Sequence, residues 1–157
     1  MERGFPLIAA AALRLGARLL LAVLLGQASA ALADERLVLV VAANSRIKVL
    51  SSRELHMLYL GLTVMVDDRR VVALRNDADE LMHQVFFQSI VSMSEAVYDR
   101  RMLALALQQG ATAPPTLRST RAVFDRLAQD PDAVSFAWAI DAEKDSRVQV
   151  LRLLWRR

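Results

Sequence analysis

The stretch Leu50-Ser51-Ser52-Arg53-Glu54-Leu55-His56-Met57-Leu58-Tyr59-Leu60-Gly61 decides how the chain is read. Ser51 or Ser52 caps a helix, and Glu54, three residues after Ser51, completes a capping box. Leu55, Leu58 and Tyr59 carry the helix to Leu60, and Gly61 stands where a left-handed residue stops it. Just upstream, Leu37-Val38-Leu39-Val40-Val41 is a continuous apolar run rich in β-branched residues, the pattern of a buried strand. Ala42-Ala43-Asn44-Ser45 closes that strand in small and polar residues, as a turn.

Further along, Asp67-Asp68 reads as a turn and Arg70-Val71-Val72-Ala73-Leu74 as a second strand. Asp77 or Asp79 caps the next helix, whose apolar positions Leu81, Val85, Phe86 and Ile90 recur at helical spacing. Ser94-Glu95 starts another, carrying Val97, Met102, Leu105 and Leu107 and ending at Gly110. Ala113-Pro114-Pro115 is a rigid connector. Ser119 or Thr120 caps a helix through Val123, Phe124 and Leu127, limited by Pro131. Val134–Trp138 and Val148–Leu153 read as the last two strands. The order β-α-β-α-α-α-β-β, with no repeat and no low-complexity segment, predicts one α/β domain.

The N-terminus has the parts of a cleavable secretory signal. Arg3, Arg14 and Arg18 supply positive charge, Leu19–Leu25 is the apolar run, and Ala28-Ser29-Ala30 and Ala31-Leu32-Ala33 are cleavage patterns. The alternative is an uncleaved anchor over residues 5–25, in which Arg14 and Arg18 would be costly. No Cys follows the apolar run, which excludes a lipoprotein anchor. The expectation is therefore a signal peptide at 1–30, cleaved near Ala30 or Ala33, a domain at 34–157, and a periplasmic location. The whole chain has 20 basic and 17 acidic residues; the signal removes three arginines and Glu2, leaving 17 against 16. That near-neutral balance gives no support for nucleic-acid binding. Zero cysteines exclude a disulfide framework and a thiolate metal site.

From Leu50 to Gly61 onward the chain resembles the phosphate-binding proteins of ABC importers. Their helix ending "Ile-Phe-Leu-Gly" is matched by Leu58-Tyr59-Leu60-Gly61. The strand and anion loop that follow are matched by Val71-Val72-Ala73-Leu74-Arg75-Asn76-Asp77. Pro114-Pro115 and Val134–Trp138 fall at the family's Pro-containing connector and its "Gly-Ala-Ile-Gly-Tyr" strand. The resemblance covers most of residues 37–153 and is closest to short, one-lobe members. It implies a single lobe of a type II periplasmic binding protein, a mixed sheet flanked by helices. It also implies phosphate or another oxyanion as ligand and an ABC permease as partner. Arg75 and Asp77 would be the charge partner and the proton-accepting carboxylate of the anion loop. Where the family continues Gly-Ser-Gly-Thr, this chain has Ala78-Asp79-Glu80-Leu81, so carboxylates stand in place of hydroxyls. At about 5 Å and an effective dielectric near 20, each carboxylate repels a bound anion by roughly 3 kcal/mol.

The candidate ligand residues are Asn44 and Ser45, at the end of the first strand where open α/β sheets bind ligands, with Arg75 and Asp77. Arg118, Ser119 and Thr120, a helix start beside a cation, complete the set. Each has a structural alternative: a polar turn, an Arg–Asp pair, or a helix cap. Asp79, Glu80 and His83 share a helix face and read as a solvated cluster or, less readily, as a metal site. His56 reads as boundary packing. No Ser/His/Asp order, paired carboxylates or Gly-rich phosphate loop marks an enzyme, so catalytic residues, metal and cofactor are expected to be absent. Two functions compete. One is a periplasmic solute-binding protein of the phosphate or oxyanion importer class. The other is a non-transporting interaction or sensory module that docks on a membrane partner, such as a sensor kinase or an outer-membrane channel. Apart from the signal peptide, no membrane contact of the chain itself is expected.

Overall fold

A computed structural model describes residues 35–157, which form a compact unit with its own core. The expected signal at 1–30 and both cleavage positions lie outside the described residues. No described helix is long and apolar enough to cross a membrane.

The first strand, β1 (Arg36–Ala42), lies inside a four-stranded mixed sheet. It pairs antiparallel with β7 (Ala133–Trp138) on one side and with β8 (Val148–Arg156) on the other. Beyond β7, the short β4 (Val72–Ala73) pairs parallel with it, giving the order β4-β7-β1-β8. Strand side chains alternate between faces. Leu37, Leu39 and Val41 therefore enter one core, and Val38 and Val40 enter a second. The unbroken apolar run of β1 follows from this double coverage. Two register shifts against β1 leave Leu151 and Leu154 as extra residues of β8.

The first core is covered by α1 (Ser52–Tyr59), α2 (Glu80–Val85), a π-helical turn (Phe86–Ile90) and α3 (Glu95–Gln109). The second is covered by α4 (Thr120–Gln129) and the short α5 (Ala139–Ala142), which the sequence did not reveal. α1 begins as expected. Ser51 accepts from the Glu54 N–H, and the Glu54 carboxylate accepts from the Ser51 N–H at 2.8 Å and its hydroxyl at 2.7 Å. Those bonds hold the Glu54 carboxyl below its ordinary pKa. Tyr59 is fully buried; its hydroxyl donates to the Leu74 carbonyl at 3.1 Å, and its ring meets Phe86 and Phe136 edge-on. Burial pushes the Tyr59 phenol far above its ordinary pKa, so it stays a neutral donor. Tyr98 ties α3 to α1 by donating to the Tyr59 carbonyl at 2.7 Å.

The structure corrects three expectations. The strand expected at Arg70–Leu74 is divided between three partners. β3 (Arg69–Arg70) makes a hairpin with β2 (Met65–Val66), across Asp67 and Asp68 at φ 48° and 60°. β4 joins the main sheet, and β5 (Arg75–Asn76) pairs parallel with β6 (Thr116–Leu117). Successive N–H groups point opposite ways, so Val71 reaches Val64, Val72 and Leu74 reach the β7 side, and Arg75 reaches Pro115. Second, the helix expected to run through Ile90 widens into the π-helical turn at Phe86. Third, α3 buries only Tyr98 and Met102 fully, while Val97, Leu103 and Leu107 are exposed.

Gly61 ends α1 at φ +72°, and a Cβ there would lie 2.5 Å from the Thr112 carbonyl oxygen. Both the backbone conformation and the missing space exclude a side chain. Gly61→Ala is expected to cost about 2–4 kcal/mol in urea denaturation, against about 1 kcal/mol for Ser51→Ala at the cap. Equal losses would remove the steric account.

Candidate functional site

β7 and the parallel β4 set the polarity of one end of the sheet. Past their C-terminal ends stand Trp138, at the end of β7, and Asp77, just after β5. β1 runs the other way, so its first residues, not its last, reach that end; Leu37 pairs with both Trp138 and Trp155. Asn44 and Ser45 therefore sit at the opposite end from the other candidates. Asn44 is exposed. The buried Ser45 hydroxyl donates to the Pro131 carbonyl at 2.6 Å and accepts from the Ile47 N–H at 3.2 Å. The expectation placed these two by the rule for parallel sheets, and an antiparallel first strand inverts it.

The remaining candidates are brought together. The β5–β6 ladder sets Arg75 opposite Thr116 and Asn76 opposite Leu117, and the Asp77 N–H donates to the Leu117 carbonyl at 2.8 Å. That ladder places the anion-loop candidates beside the start of α4. The Asn76 amide, fully buried, donates to the Thr120 hydroxyl at 3.3 Å and the Phe136 carbonyl at 2.9 Å, leaving its own carbonyl oxygen unpaired. Ser119 caps α4 by accepting from the Ala122 N–H. Arg118 is exposed on the turn between β6 and α4.

Arg75 is the centre of the cluster. Its side chain is 11% exposed and its guanidinium lies over two rings, 4.5 Å from the Phe86 centroid and 4.8 Å from that of Phe87. Nη2 stands 3.3 Å from Asp77 Oδ1 and 3.2 Å from His83 Nδ1, while Nε is buried without a partner. His83 Nδ1 is 2.9 Å from Asp77 Oδ1, the shorter contact, which assigns its proton to the carboxylate. The other ring nitrogen, Nε2, faces Glu95 Oε2 at 3.6 Å, and the ring packs edge-on to Phe87. Asp77 Oδ1 thus accepts from two donors that stand side by side, the Arg75 guanidinium and the His83 ring. The π-helical turn is what presents Phe86 and Phe87 together under the guanidinium.

Asp79 closes the neighbouring helix end. Its Oδ1 accepts from the Met82 N–H at 2.8 Å and its Oδ2 from the Trp138 indole at 2.7 Å. Trp138 in turn leans on Trp155, centroids 6.1 Å apart. Glu80 is exposed and accepts from Gln84. The expected Asp79–Glu80–His83 face is therefore divided, His83 turning to Asp77 and Asp79 to Trp138. Among the described residues no three His, Cys, Asp or Glu side chains are grouped to hold a metal. Sequence spacing could not find the His83–Asp77 pair, because the two lie six positions apart with a helix cap between them. The Thr120 side of α4 opens on a cavity of about 480 Å³ lined by Arg121, Phe124, Asp141, Lys144 and Arg147. Arg147 is held there by Asp125 at 2.6 Å and Asp145 at 2.7 Å, and the hydrogen bonds that Asp145 accepts from the Arg147 side chain and backbone N–H bring its pKa down to about 2.

No protein-family model and no curated protein matches the sequence. Solved structures do. The domain superposes on a protein from Clostridium perfringens described as a phosphate ABC transporter substrate-binding protein with bound phosphate, at TM-score 0.56 and 13% identity. The overlap is 76% of this chain and 45% of that one. PstS from Borrelia burgdorferi gives TM-score 0.56 at 10% identity, over 75% of this chain and 47% of the other. A protein from Planctomyces limnophilus described as a possible phosphate binding protein gives 0.52 at 11%, over 76% and 41%. The chain shares their fold and spans less than half the length of each. The expected fold, an α/β lobe of the binding-protein type with a mixed sheet flanked by helices, is what the structure has.

Removing one member of a buried ion pair is costlier than replacing a charge by an apolar group that fills its space. Asp77→Ala is expected to cost about 2–4 kcal/mol in chemical denaturation. Arg75→Met, whose thioether can pack on Phe86 and Phe87, should cost about 1–2 kcal/mol. The reverse order would mean that Arg75 is held by solvent rather than by Asp77.

Proposed function

We propose that this chain is an exported, single-lobe domain of the phosphate-binding fold that docks on a membrane-bound partner instead of carrying phosphate. The observation that supports this reading is the closed state of the loop expected to hold the anion. Arg75 is paired with Asp77, stacked on Phe86 and Phe87 and flanked by His83. The adjoining helix end is filled by the Asp79 carboxylate. A phosphate arriving there would have to displace Asp77 and lie against a second carboxylate. The fold similarity to phosphate-binding structures supports the lineage of the scaffold. Ligand cavities bury most of a small ligand's surface, which a single lobe does poorly. Export rests on the signal read at residues 1–30, and a sensor kinase or an outer-membrane channel is the partner class.

A second reading keeps an oxyanion, at the other helix start. Thr120, Arg121 and Lys144 line the cavity of about 480 Å³, with Arg118 close by in sequence. Asp141 and Asp145 line the same cavity and weaken its positive character. An ABC permease would be the partner on this reading.

Calorimetric titration of the exported protein with phosphate, sulfate and molybdate separates the two. The docking reading expects no heat at millimolar anion, together with cross-linking in membranes to one identified integral protein. Anion binding in the micromolar range would overturn it, and loss of that binding in Arg121→Ala but not Arg75→Ala would establish the second reading.

A further inference from the structure

The edge strand β4 leaves one residue of its backbone open. Its bonds to β7 use alternate residues: the Val72 N–H donates to the Asp132 carbonyl at 3.0 Å and the Leu74 N–H to the Val134 carbonyl at 2.9 Å. Ala73, between them, therefore turns its N–H and C=O to the other side. On that side the Val64 carbonyl takes the Val71 N–H at 2.9 Å and the Pro115 carbonyl takes the Arg75 N–H at 2.8 Å. No strand fills the position between those two, and among the described residues neither backbone group of Ala73 has a partner. Buried backbone groups are nearly always paired. Ala73 is 6% exposed, and it lines a cavity of about 290 Å³. Leu58, Leu62 and Pro114 give that cavity apolar walls, and Arg70 is its one charged lining residue. Arg70 is exposed and has no ion pair among the described residues. Apolar walls with a few placed polar groups are the make-up of a ligand pocket.

We propose that this cavity binds an N-acylated apolar amino acid with a free carboxylate, either as a small molecule or as the last residue of a peptide. A guest residue running antiparallel to β4 exchanges two hydrogen bonds with Ala73: its N–H donates to the Ala73 carbonyl, and its carboxylate accepts from the Ala73 N–H. A parallel guest would need the residues on both sides of the one facing Ala73, and the segments bonded to Val71 and Arg75 leave a single position open. Strand direction then sets the polarity of the guest. The Ala73 N–H lies toward Val71 and its C=O toward Arg75, so the carboxylate is directed to the Arg70 end and the acyl group to the Pro115 end. A chain continuing beyond the carboxylate would meet segment 62–64, so the guest ends there, with the unpaired Arg70 guanidinium to receive its charge. The cavity shares no lining residue with the Arg75 cluster or with the cavity at α4, so the inference is independent of the proposed docking role.

Titration of the isotope-labelled protein with N-acetyl-leucine reads the site through the Ala73 amide resonance. That resonance should move saturably, with a dissociation constant of about 1 mM, the level expected of so small a ligand in a half-open cavity. N-acetyl-leucinamide, which lacks the charge, should bind about fivefold more weakly. Arg70→Gln, at an exposed position, should erase that difference and leave the circular dichroism unchanged. The acetylated tripeptide Ala-Ala-Leu separates the two sources of the ligand. Tighter binding than N-acetyl-leucine assigns the site to peptide ends, and equal or weaker binding assigns it to the free acyl amino acid. No saturable movement of Ala73 at about 20 mM ligand, equal binding of acid and amide, or an acid preference that survives Arg70→Gln overturns the proposal.

Discussion

Burial of β1 on both faces is the constraint on which the rest of the domain depends. A strand with apolar side chains in both directions needs a layer above and a layer below. The α1, α2 and α3 side supplies one, and α4 with α5 supplies the other. Because β7 and β8 flank β1 on its two edges, the N-terminal strand is locked in place by the last quarter of the chain. The domain cannot close until Val148–Arg156 has been added, so its central strand waits for its final one.

The second constraint is electrostatic. The strand that leaves the sheet at Asn76 delivers a guanidinium into an aromatic pocket, and an enclosed charge requires a partner. Asp77 supplies it, two residues away, and His83 supplies a further hydrogen bond from the facing helix. The carboxylates that follow serve the chain itself: Asp79 caps α2 and fixes the Trp138 indole. Asp77 and Asp79 are thus both taken up by internal partners, while the Arg75 Nε and the Asn76 carbonyl oxygen are buried without one. The loop has the chemistry of a structural clasp.

Local signals were legible in the sequence wherever one residue carries the whole instruction. Ser51 with Glu54, Asp79, Ser94 and Ser119 all cap the helices expected of them, and Gly61 and Gly110 both take left-handed φ values. The double-sided strand was also legible, because burial on two faces removes alternation. Strand direction was not. Nothing in Leu37–Val41 says that β1 runs against its neighbours, so the sequence does not reveal that Asn44 and Ser45 lie at the opposite end of the sheet from Arg75 and Asp77. The division of residues 69–77 among three sheets was hidden too, since backbone partners leave no trace in side-chain hydrophobicity. At the site, the Arg75–Asp77 pair could be read from positions two apart, whereas His83, Phe86 and Phe87 join it only through the packing of the following helix and its π-helical turn.

The twice-bulged β8 has a consequence for how the folded domain survives among other chains. It is an edge strand, nine residues long, and its far edge has no neighbour among the described residues. An extended edge of that length is a template on which another unfolded or partly folded chain can add strands without limit. The extra residues Leu151 and Leu154 break its regular ladder, and Arg152 and Arg156 put charge along it. A flat ribbon would invite amyloid-like growth; a kinked, basic one resists it. The irregularity at the edge of the sheet therefore guards the fold against polymerisation.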